Sequence, residues 1–177
     1  MASDDVQRNE HPPGPEAGAD ALARARAAVA AVVDPEIPIL TLEDLGILRG
    51  VAQQDGTIIV ELTPTYIGCP ATFAIRLAVE AALAAAGLHQ VRVVTQLSPP
   101  WSTDAITESG RRKLKAFGIA PPARAKNPGA LFHDVEVACP RCGSSQTSKL
   151  SEFGSTACKA QWRCDACREP FDYFKCI

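Results

Sequence analysis

Two Cys-x-x-Cys knuckles, Cys139-Pro140-Arg141-Cys142 and Cys164-Asp165-Ala166-Cys167, stand 21 residues apart near the end of this 177-residue sequence. Two tight turns of this kind each present two thiolates to one tetrahedral cation. The four cysteines are therefore the candidate metal ligands, with structural zinc the expected ion. The same thiolate set also accepts iron in a rubredoxin-like redox site. The first reading makes the ion a staple without chemistry, and the second makes it an electron carrier.

Three further cysteines fall outside this set. Cys158 lies six residues before the second knuckle and Cys176 is the penultimate residue. Each is either a small inert thiol or a transient trap for iron or a sulfur species, and Lys159 beside Cys158 would favour its thiolate. Cys69 follows Gly68 and precedes Pro70, a residue tolerated in the first turn of a helix. An N-cap thiol there would meet unpaired backbone N–H groups, which favour the reactive anion, although a mere small cap fits as well. No histidine stands near it, so Cys–His nucleophilic catalysis has little support. Asp34 and Glu36 flank Pro35, where they serve as metal or proton ligands or simply as turn formers.

The elements that must position these residues follow from periodicity and breakers. An Ala-rich helix is expected over 21–33, ended by Asp34-Pro35-Glu36-Ile37-Pro38. Residues 46–51 and 57–62 flank Asp55-Gly56 as a hairpin. A second helix over 70–86 carries Phe73, Leu77 and Ala81 as its expected apolar stripe, with Ala74, Ala78 and Ala82 beside it. A strand over 91–97, a Pro-rich loop at 98–101 and a basic helix over 107–117 complete the pattern. Helices on a small mixed sheet give an α+β domain over 21–118. The expected organisation adds a disordered tail at 1–20, a proline-containing linker at 119–134 and a three-stranded zinc ribbon at 135–177, with strands within 147–153 and 160–163. A ribbon of that size buries too little apolar surface to fold alone, so a metal must supply stability.

With 46% apolar residues the chain can build one ordinary core plus an appendage. Residues 1–20 have neither the basic start nor the apolar run of a signal peptide, and no segment reaches the roughly 18 apolar residues of a membrane span. A reducing cytoplasm is the expected setting, where paired cysteines serve as metal or redox groups. The formal net charge of −2 divides into 6 Lys+Arg against 12 Asp+Glu over 1–100, and 12 against 8 over 101–177. The preferred reading is two solvated faces on two modules; a basic ribbon also fits docking on an acidic or a phosphate-bearing partner, and a surplus of +4 is too small to indicate nucleic acid.

Asp34-Pro35-Glu36-Ile37-Pro38, Asp44-Leu45-Gly46 and Thr63-Pro64-Thr65 with Gly68-Cys69-Pro70 together resemble the MIP18 (DUF59) domain family, whose members are associated with iron–sulfur cluster assembly. The run Phe153-Gly154-Ser155-Thr156-Ala157-Cys158-Lys159-Ala160 and the ending from Cys167 to Ile177 resemble the D-component family of the phenylacetyl-CoA epoxidase (ring 1,2-epoxidase) system. The resemblance spans about residues 21–177. It implies a non-catalytic accessory or maturation component in aerobic phenylacetate degradation. Its partners would be the oxygenase or reductase subunits, rather than nucleic acid or membrane. Cys69 would then be a transient iron or iron–sulfur ligand, Asp34 and Glu36 would shape the same surface, and the ribbon would dock. The sequence agrees, since it lacks a Glu-x-x-His pair, a Gly-x-Gly-x-x-Gly fingerprint and a plant-type Cys-x4-Cys-x2-Cys motif. The alternative is a rubredoxin-like electron-transfer component of the same oxygenase.

Overall fold

The computed structural model describes residues 15–66, 68, 70–122 and 136–175, with side chains from Gly18 onward. Cys69, Cys176, residues 1–14 of the expected tail and residues 123–134 of the expected linker lie outside the described residues. The first helix, α1 (Pro15–Ala30), begins inside the segment expected as tail and ends three residues early. Its Ala25 and Val29, one turn apart, are completely buried. No described helix is long and apolar enough to cross a membrane.

After the Asp34–Pro38 turn comes α2 (Leu42–Leu45), a single turn closed by a capping box between Thr41 and Asp44. The hairpin β1 (Leu48–Gln54) and β2 (Thr57–Leu62) follows. Gln54 pairs with Thr57 across Asp55 and Gly56, whose φ angles of 49° and 79° are those of a type I′ turn. From β2 the chain enters α3 (Ala71–Ala85) and returns as β3 (Val91–Thr95), parallel to β2, so the sheet order is β1-β2-β3.

The apolar stripe of α3 differs from the expected one. Ala71, Ile75, Val79 and Leu83 are buried, while Phe73 and Leu77 are 70% and 49% exposed. Both sets recur at four-residue intervals, so periodicity alone does not choose between them. Three large aliphatic side chains on one stripe bury more than Phe73 and Leu77 on the other, and that difference selects the face.

The second half of the chain is locked to the first by α4 (Glu108–Ala116), capped by Thr107. A Cβ added to Gly110 would come within 2.8 Å of the Asp44 carbonyl oxygen, so the close approach of α4 to α2 requires glycine there. Asp44 holds the junction. Its carboxylate accepts from the Thr41 N–H at 3.1 Å and pairs with the Lys113 ammonium, and its carbonyl accepts from the Thr107 N–H at 2.9 Å. Burial works to raise the Asp44 pKa, but the Lys113 and Thr41 donors outweigh it and hold the carboxyl below its ordinary 3.8.

Residues Ile119 and Ala120, expected in the linker, instead form β4 (Ile119–Ala120), parallel to a later strand, β7 (Pro170–Phe174). With β5 (Thr147–Ser151) and β6 (Lys159–Cys164) they make a four-stranded sheet, order β4-β7-β6-β5. One face of it has its own small core, in which Trp162 meets Tyr173 edge-on at 6.0 Å. The end of β7 belongs to the main core. Phe174, 1% exposed, packs with Trp101 at a centroid distance of 6.2 Å, and the Trp101 indole N–H donates to the Leu45 carbonyl at 2.8 Å. The ribbon is therefore not an independent appendage; it supplies Phe174 and Cys158 to the core of the α+β domain.

Phe174→Ala should lower stability by about 3–5 kcal/mol and lower the melting temperature of the whole chain, measured by calorimetry, because the cavity opens beside Trp101. Asp44→Asn should cost about 1–3 kcal/mol at neutral pH. A lowered folded-state pKa stabilises above 3.8, and that contribution disappears as pH falls through the folded value, so acidification should close the gap between variant and wild type.

Candidate metal centre and the adjoining seam

Each knuckle is a turn made rigid by its own backbone. In the first, the Gly143 N–H donates to the Cys139 carbonyl at 2.9 Å; in the second, the Arg168 N–H donates to the Cys164 carbonyl at the same distance. Both turns end in the left-handed region, at Gly143 (φ 76°) and Arg168 (φ 66°). Glycine adopts this without penalty, whereas a non-glycine residue there is held by its surroundings. Across the knuckles the Arg141 guanidinium pairs with Glu169.

This geometry brings all four Sγ atoms within 4.8 Å of one another. Cys139 to Cys167 is 3.8 Å and Cys142 to Cys164 is 3.6 Å. Four sulfurs each at about 2.3 Å from a tetrahedral zinc lie about 3.8 Å apart, so the donor set fits that ion in both chemistry and spacing. Cys139 and Cys164 face the interior, and Cys142 and Cys167 face solvent. The crowded thiols do not ionise alike. The Cys167 N–H, chief among several donors to Cys164, brings that thiol down to about 7. The Glu169 backbone favours the Cys167 thiolate, yet burial and the other three sulfurs push Cys167 up to about 12. Holding four thiolates together requires a cation among them.

A second cluster lies at the seam between ribbon and domain. Asp34 is buried, and its Oδ1 accepts from the Glu36 and Ile37 N–H groups, each at 2.8 Å. That is a turn-forming role. Glu36 is half-buried, and its Oε2 lies 3.7 Å from the Cys158 Sγ, which also meets Thr156 Oγ1 at 3.0 Å. Burial is the main influence raising the Cys158 thiol pKa; Thr156 and Lys159 oppose it, while Glu36 and Asp34 add to it. Lys159 does favour the thiolate, as expected, but is outweighed, and its ammonium sits 3.8 Å from Asp172. Resting Cys158 is thus a protonated, enclosed thiol rather than an activated one.

Of the residues singled out in the sequence, the four knuckle cysteines come together, and Asp34 and Glu36 share one turn. Pro70 occupies the cap position itself, with α3 starting one residue later than expected. The geometry of Cys69 relative to that turn lies outside the described residues, although Gly68 before it has φ 89°. Sequence reasoning missed the pairing of Glu36 with Cys158. They stand 122 positions apart, and no local spacing signals such a contact.

Residues 22–95 match the family model described as iron–sulfur cluster assembly protein, and residues 123–175 match the PaaD zinc beta ribbon domain. The chain is 51% identical over 149 residues to a protein of Escherichia coli (strain K12) named as the putative D component of 1,2-phenylacetyl-CoA epoxidase, covering 82% of this chain and 87% of that one. In fold it is similar to the DUF59 domain from Bacillus anthracis. The TM-score is 0.52 at 24% identity, covering 57% of this chain and 97% of that one.

The purified chain should carry one equivalent of zinc by elemental analysis, in keeping with the tetrahedral spacing. Cys164→Ser should weaken retention at least about tenfold in a chelator competition. Acidification should release the metal, since the ligands must be thiolates. A folded ribbon without any bound metal would contradict this.

Proposed function

The chain belongs to the D-component family of the phenylacetyl-CoA epoxidase, and from that premise we propose that it is a non-catalytic accessory component that helps mature a metal centre in the epoxidase complex. The observation that carries the proposal is the fusion, through one shared core, of a domain of the iron–sulfur assembly type with a four-cysteine ribbon. In this reading Cys139, Cys142, Cys164 and Cys167 hold zinc, which has no redox chemistry and acts as a staple. The ribbon docks the protein onto an oxygenase or reductase partner, in the cytoplasm.

The cargo is iron or an iron–sulfur cluster, taken as substrate rather than kept as a cofactor. Cys69 is its transient ligand in the proposal, on a surface shaped by Asp34 and Glu36. One physical argument favours it over Cys158. Cys158 is 5% exposed and held protonated by burial, which disfavours it as a ligand. Asp34 is occupied with its own turn, and the Glu36 carboxylate lies against Cys158 at the seam. Cys158 then belongs to the seam, closing ribbon on domain.

The test is coproduction of the epoxidase subunits with wild type, Cys69→Ala or Cys158→Ala, followed by iron analysis and epoxidation assays of the purified oxygenase. Cys69→Ala should leave its own protein folded and the oxygenase short of iron, with activity reduced about tenfold or more. Cys158→Ala should cost about 1–2 kcal/mol of stability but leave client iron near the wild-type level. Full iron content with Cys69→Ala would reduce that residue to a cap. A deficit confined to Cys158→Ala would move cargo handling to the seam.

A further inference from the structure

A trough of about 760 Å³ runs between the C-terminal end of α4 and the first knuckle, away from Asp34, Glu36 and Cys158. Its walls are unlike each other in origin but alike in charge. One carries Arg112 and Lys115 from α4, and the other carries Arg141 from the knuckle. Among the described residues Glu169 is the single acidic residue in its lining, and it is already paired with Arg141. Between the walls the lining is apolar: Phe117, Pro140 and Phe171 line the trough, and Phe117 is 59% exposed. A large exposed aromatic side chain among cations is an unusual surface, since burial would have been favourable.

The carbonyls at the end of α4 do not oppose an anion there as free acceptors. The Phe117 N–H caps those of Lys113 and Leu114, and the Gly118 N–H caps that of Lys115. Lys115 further offsets the negative end of the helix. Among the described residues, Arg112 and Lys115 form no ion pair, so their charge is available to a ligand. The same imbalance extends over the second part of the chain, where residues 101–177 carry 12 basic against 8 acidic residues.

We infer that this trough is a docking site for an acidic peptide segment of a partner protein, with carboxylates against Arg112 and Lys115 and an aromatic or aliphatic side chain resting on Phe117. Charge complementarity selects a carboxylate-bearing chain, and the apolar lining selects one with a hydrophobic anchor. A nucleic acid is disfavoured by Glu169 in the lining and by the net charge of −2 on the whole chain. The site does not depend on the cargo proposal, because it shares no residue with the Cys69 surface or the seam.

The test uses the full-length, zinc-loaded protein and fluorescein-labelled peptides read by anisotropy. The probe is Asp-Glu-Phe-Asp-Glu-Leu, with Asp-Glu-Ser-Asp-Glu-Ser and Lys-Arg-Phe-Lys-Arg-Leu as controls. The acidic aromatic peptide should bind saturably, and both controls should bind at least about tenfold more weakly. The double variant Arg112→Glu/Lys115→Glu should weaken the acidic probe by about tenfold or more, and Phe117→Ser should weaken it several-fold. These side chains are exposed, so an unchanged melting temperature is expected and would tie the loss to the trough itself. Absence of saturable binding, equal binding of the basic peptide, or unaltered affinity in both variants would overturn the inference. Tighter binding of a single-stranded oligonucleotide than of the acidic probe would overturn it as well.

Discussion

Four thiols brought within 4.8 Å repel one another once ionised, so four thiolates held there need a cation among them. The ionisation of Cys164 and Cys167 is split from about 7 to about 12, which expresses the same demand in the bare thiols. A tetrahedral cation removes the conflict and joins the loop before β5 to the turn after β6. The register of the sheet then places Phe174 and Lys159 opposite each other at one end of the β6–β7 pair. From that end, Phe174 and Cys158 enter the core of the other domain. A metal bound at one pole of the ribbon, as proposed, would thereby act on packing at the other.

The seam is built from both apolar and polar contacts. Phe174 against Trp101 supplies the buried area, and the indole N–H is satisfied by the Leu45 carbonyl, so the Trp101 ring is buried without stranding its polar group. Beside them, Cys158 meets Glu36 on the Asp34–Pro38 turn. That turn carries the acidic pair resembling the assembly-domain motif, so the ribbon covers part of the surface where cargo handling is proposed. Two segments from opposite ends of the chain therefore set the environment of one carboxylate.

How much of this the sequence disclosed depends on the range of the interaction. The knuckles were legible because Cys-x-x-Cys is a local turn with its ligands already facing one way. Asp55-Gly56 was legible for a similar reason, since its two positive φ angles are a property of adjacent residues. The stripe of α3 was not, because Phe73-Leu77-Ala81 and Ile75-Val79-Leu83 have the same spacing and only packing distinguishes them. Ile119-Ala120 read as linker next to Pro121-Pro122, and a two-residue strand has no period to detect. The Glu36–Cys158 contact was beyond any local signal, and Trp101, in an expected loop, proved to be the buried partner of Phe174. The overall α+β-plus-ribbon architecture was readable, but the fact that its two parts share a core was not.

If metal in the ribbon stabilises the seam, it also stabilises the Asp34–Pro38 turn on the far side of that seam. Hydrogen exchange by mass spectrometry on the full chain, before and after zinc is stripped with a chelator, tests this directly. The Asp34 side chain holds the Glu36 and Ile37 N–H groups, and the Leu40 carbonyl accepts from the Asp34 N–H. Zinc removal is predicted to deprotect peptides spanning 34–46 together with those of β6 and β7, while the β1–β2 hairpin stays protected. Loss of protection confined to the ribbon, with 34–46 unchanged, would contradict the coupling.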